Sequence, residues 1–170
     1  LLAVFRLWNM VEYWAPYRDL IDEKWDGVLR DSLAPFAGPH DRPSYFNAVA
    51  TLVARIDDGH ASIGKSPETG APLRCPLPFT IRSVEGKFVV ASIPLDIAAD
   101  LRVGDVVVEI DGMSIVDLAN EQRPFQGASN EPARLRRIGA MLPWGPCGKA
   151  RLVIDRMGKR HVTLERKTGE

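Results

Sequence analysis

Apolar residues recur every three or four positions through the first third of the chain, which is typical of amphipathic helices that share a core. Pro16 ends the first run of this pattern, and Pro35 and Gly38 end the second. Asp41 suits the N-cap of the third run. We therefore predict a small bundle of three helices over residues 1–63. The three stripes are Leu1, Val4, Phe5, Trp8 and Val11; Trp25, Val28, Leu29, Ser32, Leu33 and Phe36; and Phe46, Val49, Ala50, Val53 and Ile56.

From residue 77 onward the pattern changes to the alternation of apolar and polar positions that half-buried strands show. Short apolar runs flank Glu85-Gly86 and Met157-Gly158, and each pair of runs predicts a hairpin. A helical turn is expected over residues 96–101, and residues 117–128 are polar and expected to be irregular. Ser129 or Asn130 can cap a further helix that ends near Leu142.

The segment 101–112 places a short, β-rich apolar strand between two glycine turns, Gly104 and Gly112 providing the glycines. This order resembles the signature of the PDZ family, in which a leucine precedes a Gly-Asp pair, a buried strand and a second glycine turn. Leu101 and Asp105 match the first two features. The resemblance implies a PDZ-like, partly open β-barrel with two helices, so the whole chain is expected to be α+β. It also implies peptide recognition, because PDZ domains bind extended peptide ends.

A peptide groove between one strand and the second helix is implied by the same resemblance. The loop that would capture the carboxylate of a peptide corresponds to residues 76–79, where Pro76 and Pro78 have no N–H to donate. The N–H groups of Leu77 and Phe79 remain, so carboxylate capture is expected to be weak or absent. An alternative is that the apolar helix residues serve only the core. The helix residues expected to line the groove are Leu135, Ile138 and Leu142.

The histidine at position 60 follows Gly59, which is expected to stop the third helix, and has carboxylates beside it. From residue types alone, His60 is either a surface histidine or a catalytic base. The chain has the motifs LWN at 7–9, YWAPY at 13–17 and DGH at 58–60, and a PDZ domain follows them. This order of motifs resembles the family of tail-specific (C-terminal processing) proteases and the tricorn core protease. The tricorn-like branch matches best, and the resemblance covers essentially the whole chain.

This resemblance implies that His60 is the general base for a serine supplied by an α/β catalytic domain that the sequence lacks. Tricorn has a serine just before its histidine, whereas this chain has Gly59, so Asp58 or a residue outside the chain would orient the ring. The other branch uses a Ser-Lys dyad, which would leave His60 without a catalytic role. No serine of the chain lies in a G-x-S-x-G elbow. The chain alone is therefore expected to be inactive.

Composition narrows the classes of partner and cofactor. Lys+Arg and Asp+Glu both number 22, so the chain has no basic excess with which to bind nucleic acid. No apolar run approaches the ~18 residues of a membrane span. The two cysteines, Cys75 and Cys147, lack the close spacing of metal ligands, so no metal or other cofactor is expected. They are either two separate thiols or a disulfide that closes a loop of about 70 residues.

We therefore predict a helical domain over 1–63, a Pro/Gly-rich linker over 64–76 and a PDZ-like domain over 77–170. The predicted function is that of the N-terminal and PDZ portion of a bacterial serine-type endopeptidase. This portion would recognise peptide or unfolded-protein substrates and supply His60. The alternative is a PDZ adaptor without catalytic activity. Because the chain has neither an initiator Met nor a signal peptide, it is expected to be a piece of a longer protein, periplasmic or extracellular by its family.

Overall fold

The structure, a computed structural model, describes residues 1–38, 41–63, 74–94 and 100–167. The fold is α+β, as predicted: helices occupy the first third of the chain, and a mostly antiparallel sheet with further helices follows. The sheet is open rather than closed into a barrel. Among the described residues, none of the helices has the length and apolar character that a membrane crossing requires.

The chain divides into two compact units. A helical unit comprises residues 1–71 together with 124–130, and a sheet unit comprises residues 72–123 together with 131–170. Most of the predicted linker, residues 64–73, lies outside the described residues, and so does most of the helical turn expected over 96–101. The linker's last residues, 74–76, form a short strand.

Three helices build the helical unit: α1 (Leu2–Trp14), α2 (Trp25–Ala37) and α3 (Arg42–Ala54). Asp41 caps α3 as predicted, because its Oδ1 accepts the Ser44 N–H at 2.9 Å. Pro35 does not end α2 as predicted, because the helix continues through it to Ala37. A short 3₁₀ turn, Arg18–Leu20, joins α1 to α2.

Two tryptophans fix α1 against the start of α2. The indole Nε1 of Trp8 donates to the carbonyl of Trp25 at 2.9 Å, and the Nε1 of Trp25 donates to the carbonyl of Trp8 at 3.1 Å. This reciprocal pair lets two large aromatic side chains contribute to the core without an unsatisfied polar atom. The buried core of the unit consists of Val4, Val11, Ile21, Trp25, Val28, Phe36 and Leu52.

The sheet unit contains a sheet in the order β2-β3-β4-β7-β8, with β5 paired to β4, and a separate two-stranded ladder of β1 and β6. All pairs are antiparallel. Because β2 stands first in this order, one of its edges is not paired with a strand from the described part of the chain. The strands are β1 (Arg74–Pro76), β2 (Thr80–Val84), β3 (Lys87–Ser92), β4 (Val106–Ile110), β5 (Met113–Ser114), β6 (Trp144–Pro146), β7 (Gly148–Asp155) and β8 (Lys159–Arg166).

Both predicted hairpins are present, β2–β3 and β7–β8, and their turn residues have the positive φ that such turns need. The expectation of irregular chain over 117–128 is wrong for its first part, where α4 (Ile115–Gln122) and a 3₁₀ turn (Arg123–Phe125) lie. Ser114 caps α4 by accepting the Val116 N–H at 3.2 Å, and Ile115 is buried. The predicted later helix is α5 (Glu131–Met141).

The two cysteines form a disulfide, Cys75–Cys147, which joins β1 to the segment directly after β6. Cys75 is completely buried, while Cys147 is exposed. Of the two alternatives that the sequence left open, the structure therefore has the disulfide. It closes a loop of 72 residues that includes both hairpin strands of β2–β3 and all of α5.

Candidate functional site

A groove of about 720 Å³ lies in the sheet unit beside the unpaired edge of β2. One wall is the start of β2 with the loop that precedes it, and the opposite wall comes from α5 and the turn after it. An edge strand next to a groove can accept an extended peptide through its free backbone groups. The lining consists of residues 76–82 and 92–94, Arg136 and Ala140 of α5, and Pro143 and Trp144.

The five residues predicted to bind peptide do not all lie in this groove. Leu77 and Phe79 line it, although both are also buried members of the core of the unit. Ile138 and Leu142 are buried in the core of the unit, and Leu135 is partly buried against the same core. The prediction placed the apolar stripe of α5 in the groove, but that stripe faces inward. The residues that α5 presents to the groove are Arg136 and Ala140, on a different face of the helix.

The loop expected to capture a carboxylate has fewer free donors than its sequence suggests. The Leu77 N–H donates to the carbonyl of Pro143 at 3.0 Å. The Phe79 N–H has no backbone partner in the described part of the chain, so one donor is left where the sequence leaves two. The expectation that both N–H groups remain available is therefore corrected. A single N–H cannot form the nest that holds a peptide carboxylate.

The helix α5 approaches the edge strand β2 tightly enough to require a glycine at Gly139. A Cβ built on Gly139 would lie 2.9 Å from the carbonyl oxygen of Ile81. Glycine is thus the residue that permits the backbone of α5 to approach β2 so closely. A peptide strand cannot lie between Ile81 and Gly139 unless the helix moves. If the helix does not move, a ligand must bind elsewhere along the groove.

The wall formed by Pro143 and Trp144 is held by two arginines. The guanidinium of Arg74 donates to the Trp144 carbonyl at 2.6 Å, and Arg166 donates through Nε to the Pro143 carbonyl at 3.3 Å. Arg166 also pairs with Asp111 at 2.6 Å. Burial, and then the nearby charge of Arg166, lowers the pKa of Arg74. Together with the disulfide, these contacts fix the turn after α5.

The candidate catalytic histidine belongs to the helical unit. His60 lies in a turn after α3, and its side chain is 98% exposed. Its Nδ1 is 3.0 Å from Oδ1 of Asp58, and its backbone N–H donates to the same oxygen at 2.8 Å. Among the described residues, Asp58 is the hydrogen-bond partner of the ring. If Nδ1 carries the proton, Nε2 points outward as an acceptor, as a general base requires.

The helix stop before His60 differs from the prediction. Gly59 does not have a positive φ, whereas Asp57 does, at 53°. Aspartate tolerates this left-handed region better than most residues with a side chain. Within the described part of the chain, no group of three His, Cys, Asp or Glu residues could hold a metal ion.

Comparison with known proteins gives a family and a set of similar folds. A family model described as PDZ domain matches residues 74–164. The structure of mature CPAF complexed with lactacystin has 17% identity and a TM-score of 0.72, and the alignment covers 96% of this chain and 33% of that one. A crystal structure of mature CPAF has 19% identity and a TM-score of 0.68, with 96% and 33% covered.

At these identities, the likeness to CPAF shows the fold alone. The chain spans about a third of the length of the CPAF chains that it matches. A search of curated protein sequences finds no match.

Proposed function

Because the chain belongs to the PDZ domain family, we propose that its sheet unit binds extended peptide segments in the groove between β2 and α5. The observation that supports this most is the position of β2. It is the terminal strand of the sheet, and the edge that is not paired with β3 faces α5 and the groove. Such an edge recognises the backbone of a peptide through strand addition, while pockets beside it recognise side chains.

The groove is proposed to bind an internal segment of a peptide as well as it binds a C-terminal end. Pro76 and Pro78 have no N–H, and the Leu77 N–H is taken by Pro143, so the loop has little with which to bind a terminal carboxylate. Leu77 and Phe79 line the groove but are no more than 5% exposed, so they offer little apolar surface to a side chain of the ligand. Strand addition next to Ile81 requires α5 to move away at Gly139.

Calorimetry with a peptide and its C-terminal amide tests this mode of binding. The two forms should bind with similar affinity. A preference for the free acid above about tenfold, which corresponds to about 1.4 kcal/mol, would contradict the proposed weakness of the carboxylate loop. Absence of binding by both forms would contradict the peptide-binding function itself.

We further propose that the parent protein is a serine peptidase and that His60 is its general base. The segments LWN, YWAPY and DGH, followed by a PDZ domain, support this proposal. It is also supported by the fold likeness to CPAF, a serine protease, because the alignment extends over nearly all of this chain. Asp58 would orient the ring through Nδ1, as the carboxylate of a catalytic triad does. The serine nucleophile would come from outside this chain.

Substitution of His60 in a protein that includes the nucleophile tests the catalytic proposal. His60→Ala should lower kcat/KM on an unstructured peptide by roughly 10²–10⁴, the usual contribution of a general base. His161→Ala, a matched exposed histidine on β8, should leave turnover unchanged. If His60→Ala stays within about threefold of wild type, far less than loss of a base should cost, the base is another residue and the Ser-Lys mechanism applies.

A second candidate function is that of a peptide-binding adaptor without catalysis. It is favoured by the surroundings of His60, which is almost fully exposed and contacts Asp58 but no serine hydroxyl in the described part of the chain. Labelling of the parent protein by a serine-directed fluorophosphonate would support the peptidase, and failure to label would support the adaptor. We also propose a periplasmic or extracellular location, because the Cys75–Cys147 disulfide suits an oxidising compartment.

A further inference from the structure

We propose that the groove selects peptides that carry acidic side chains, and that Arg82 and Arg136 are the residues that bind them. This inference rests on the proposed peptide-binding function and names the ligand class of that same groove. Arg82 belongs to β2 and Arg136 to α5, so each of the two walls contributes one cation. Both residues are exposed.

The charged side chains among the described lining residues of the groove are all of one sign. Among its described lining residues, the charged ones are Arg82 and Arg136, and no aspartate or glutamate accompanies them. The chain as a whole has no net charge, so this local excess is a property of the groove and not of the composition. Two cations in a cleft with an apolar floor attract an anion more strongly than the same charges on a flat surface.

Both arginines are available to a ligand. Other arginines of the sheet unit already hold carboxylates: Arg123 pairs with Glu131, Arg156 with Asp105 and Arg166 with Asp111. For the side chains of Arg82 and Arg136, the described residues provide neither an ion pair nor a hydrogen bond. Neither cation would therefore have to leave a partner within the described part of the chain in order to bind a peptide.

The chemistry of the guanidinium fits a carboxylate. Its planar fork can donate two parallel hydrogen bonds to the two oxygens of an Asp or Glu side chain. The backbone loop that would otherwise bind an anion is weakened by Pro76, Pro78 and the bond between Leu77 and Pro143. In this proposal, arginine side chains along the walls of the groove bind the negative charge of the ligand, in place of backbone N–H groups at its end. The ligand is an extended peptide with acidic residues inside its sequence.

The test uses short peptides that are capped at both ends, so that their only charges are on side chains. One peptide has glutamate at alternate positions, a second has glutamine and a third has lysine at the same positions. Fluorescence anisotropy with the whole chain should show that the glutamate peptide binds about fivefold or more tightly than the glutamine peptide, as expected for two exposed ion pairs. The lysine peptide should bind most weakly.

Charge-reversal variants locate the effect. Arg136→Glu and Arg82→Glu should each remove the preference for glutamate, and the milder Arg136→Gln should reduce it, with thermal melts showing that all three variants fold. Arg160→Glu is the matched control: Arg160 is exposed on β8, outside the groove, and the variant changes net charge by the same amount. It should keep the preference.

Three results would overturn the inference. Equal binding of the glutamate and glutamine peptides would do so while leaving the proposed peptide-binding function intact. Loss of the preference in Arg160→Glu, or equally strong competition by short polyphosphate, would mean that any anion binds through the overall field. Absence of binding by all three peptides would overturn both this inference and the peptide-binding function on which it rests.

Discussion

The two units of the chain hold their functional groups in different ways. In the helical unit, His60 stands almost fully exposed, and its ring has Asp58 as its hydrogen-bond partner among the described residues. In the sheet unit, the groove is built from a strand edge, a helix and a loop that are fixed by a disulfide and by buried arginine contacts. A binding site can therefore be complete within this chain, whereas the catalytic role that we propose for His60 would need groups that the described residues do not place beside its ring.

The same contrast holds for charged residues. In the sheet unit, Asp105 is only 3% exposed and accepts the fork of Arg156 and the backbone N–H of Arg102. In the helical unit, Arg55 bonds Glu23 and Asp31, whose carboxylates are exposed to solvent. Burial strengthens the first network and makes its loss costly, while solvent screens the second. Substitutions should thus destabilise the sheet unit more than matched changes destabilise the helical unit.

The largest difference between the units should come from the disulfide. Cys75→Ser together with Cys147→Ser removes the closure of a 72-residue loop and should lower the free energy of unfolding of the sheet unit. The chain-entropy relation gives a loss of about 4 kcal/mol. Hydrogen exchange resolves the effect by residue: amides of β4 and β7 should exchange faster, and amides of α2 should not change. Equal acceleration in both units would contradict a stabilisation that is confined to the sheet unit.

The next effect concerns the buried carboxylate. Asp105→Asn removes the negative charge to which Arg156 and the backbone N–H of Arg102 donate hydrogen bonds. It should lower the free energy of unfolding of the sheet unit by about 2 kcal/mol. Asp31→Asn in the helical unit is the matched control and should cost less than about 0.5 kcal/mol, because its ion pair is exposed. Urea unfolding of the two variants measures both values, and equal losses would remove the contrast.

The Asp105 carboxyl also predicts a pH dependence. Its hydrogen bond from Arg156 lowers the pKa of Asp105, although burial acts in the opposite direction. A carboxyl with a lowered folded pKa stabilises the fold above its unfolded pKa, about 3.9, and the contribution disappears as the pH falls through the folded pKa. Acid should therefore destabilise the wild type more steeply than Asp105→Asn. Parallel acid-unfolding curves would contradict this.

The smallest effect is at the contact between α5 and β2. Gly139→Ala places a Cβ 2.9 Å from the Ile81 carbonyl, so overpacking should exceed the helix propensity of alanine and leave a net loss of about 1 kcal/mol. Gly27→Ala in α2 meets nothing within 4 Å and should stabilise by up to about 1 kcal/mol. Thermal melts of the two variants show whether each substitution stabilises or destabilises the protein. Stabilisation by Gly139→Ala would show that the contact is not tight.

Much of the fold follows from local patterns in the sequence. The apolar stripes gave α1, α2 and α3, and the glycine turns gave both hairpins and the β4 strand. The helix α4 was missed because polar residues dominate 117–128, although Ser114 with Asp117 three residues later is a helix-start signal. The sequence favours Gly59 as the left-handed residue that stops α3, because glycine adopts that region most readily, but in the structure Asp57 adopts it.

The groove was harder to predict because its walls come from segments that are far apart in the sequence and close together only in the folded structure. Leu77 and Phe79 could be found from the position of their loop, but the bond from Leu77 to Pro143 joins residues far apart in sequence. The spacing of apolar residues predicts α5, but it does not show which face of the helix lies toward β2. The position of Arg136 in the groove therefore could not be predicted. The disulfide stayed open for the same reason, since two distant cysteines do not reveal their separation in space.

The central proposal is that the chain has a peptide-binding groove and that His60 is one part of a catalytic site whose nucleophile lies elsewhere. One experiment measures both with the acidic capped peptide: anisotropy for binding and mass spectrometry for cleavage, on the wild type, Arg136→Glu and His60→Ala. The account predicts saturable binding that Arg136→Glu weakens and His60→Ala leaves unchanged, with the peptide intact throughout. Cleavage that disappears in His60→Ala, or no saturable binding by the wild type, would contradict it.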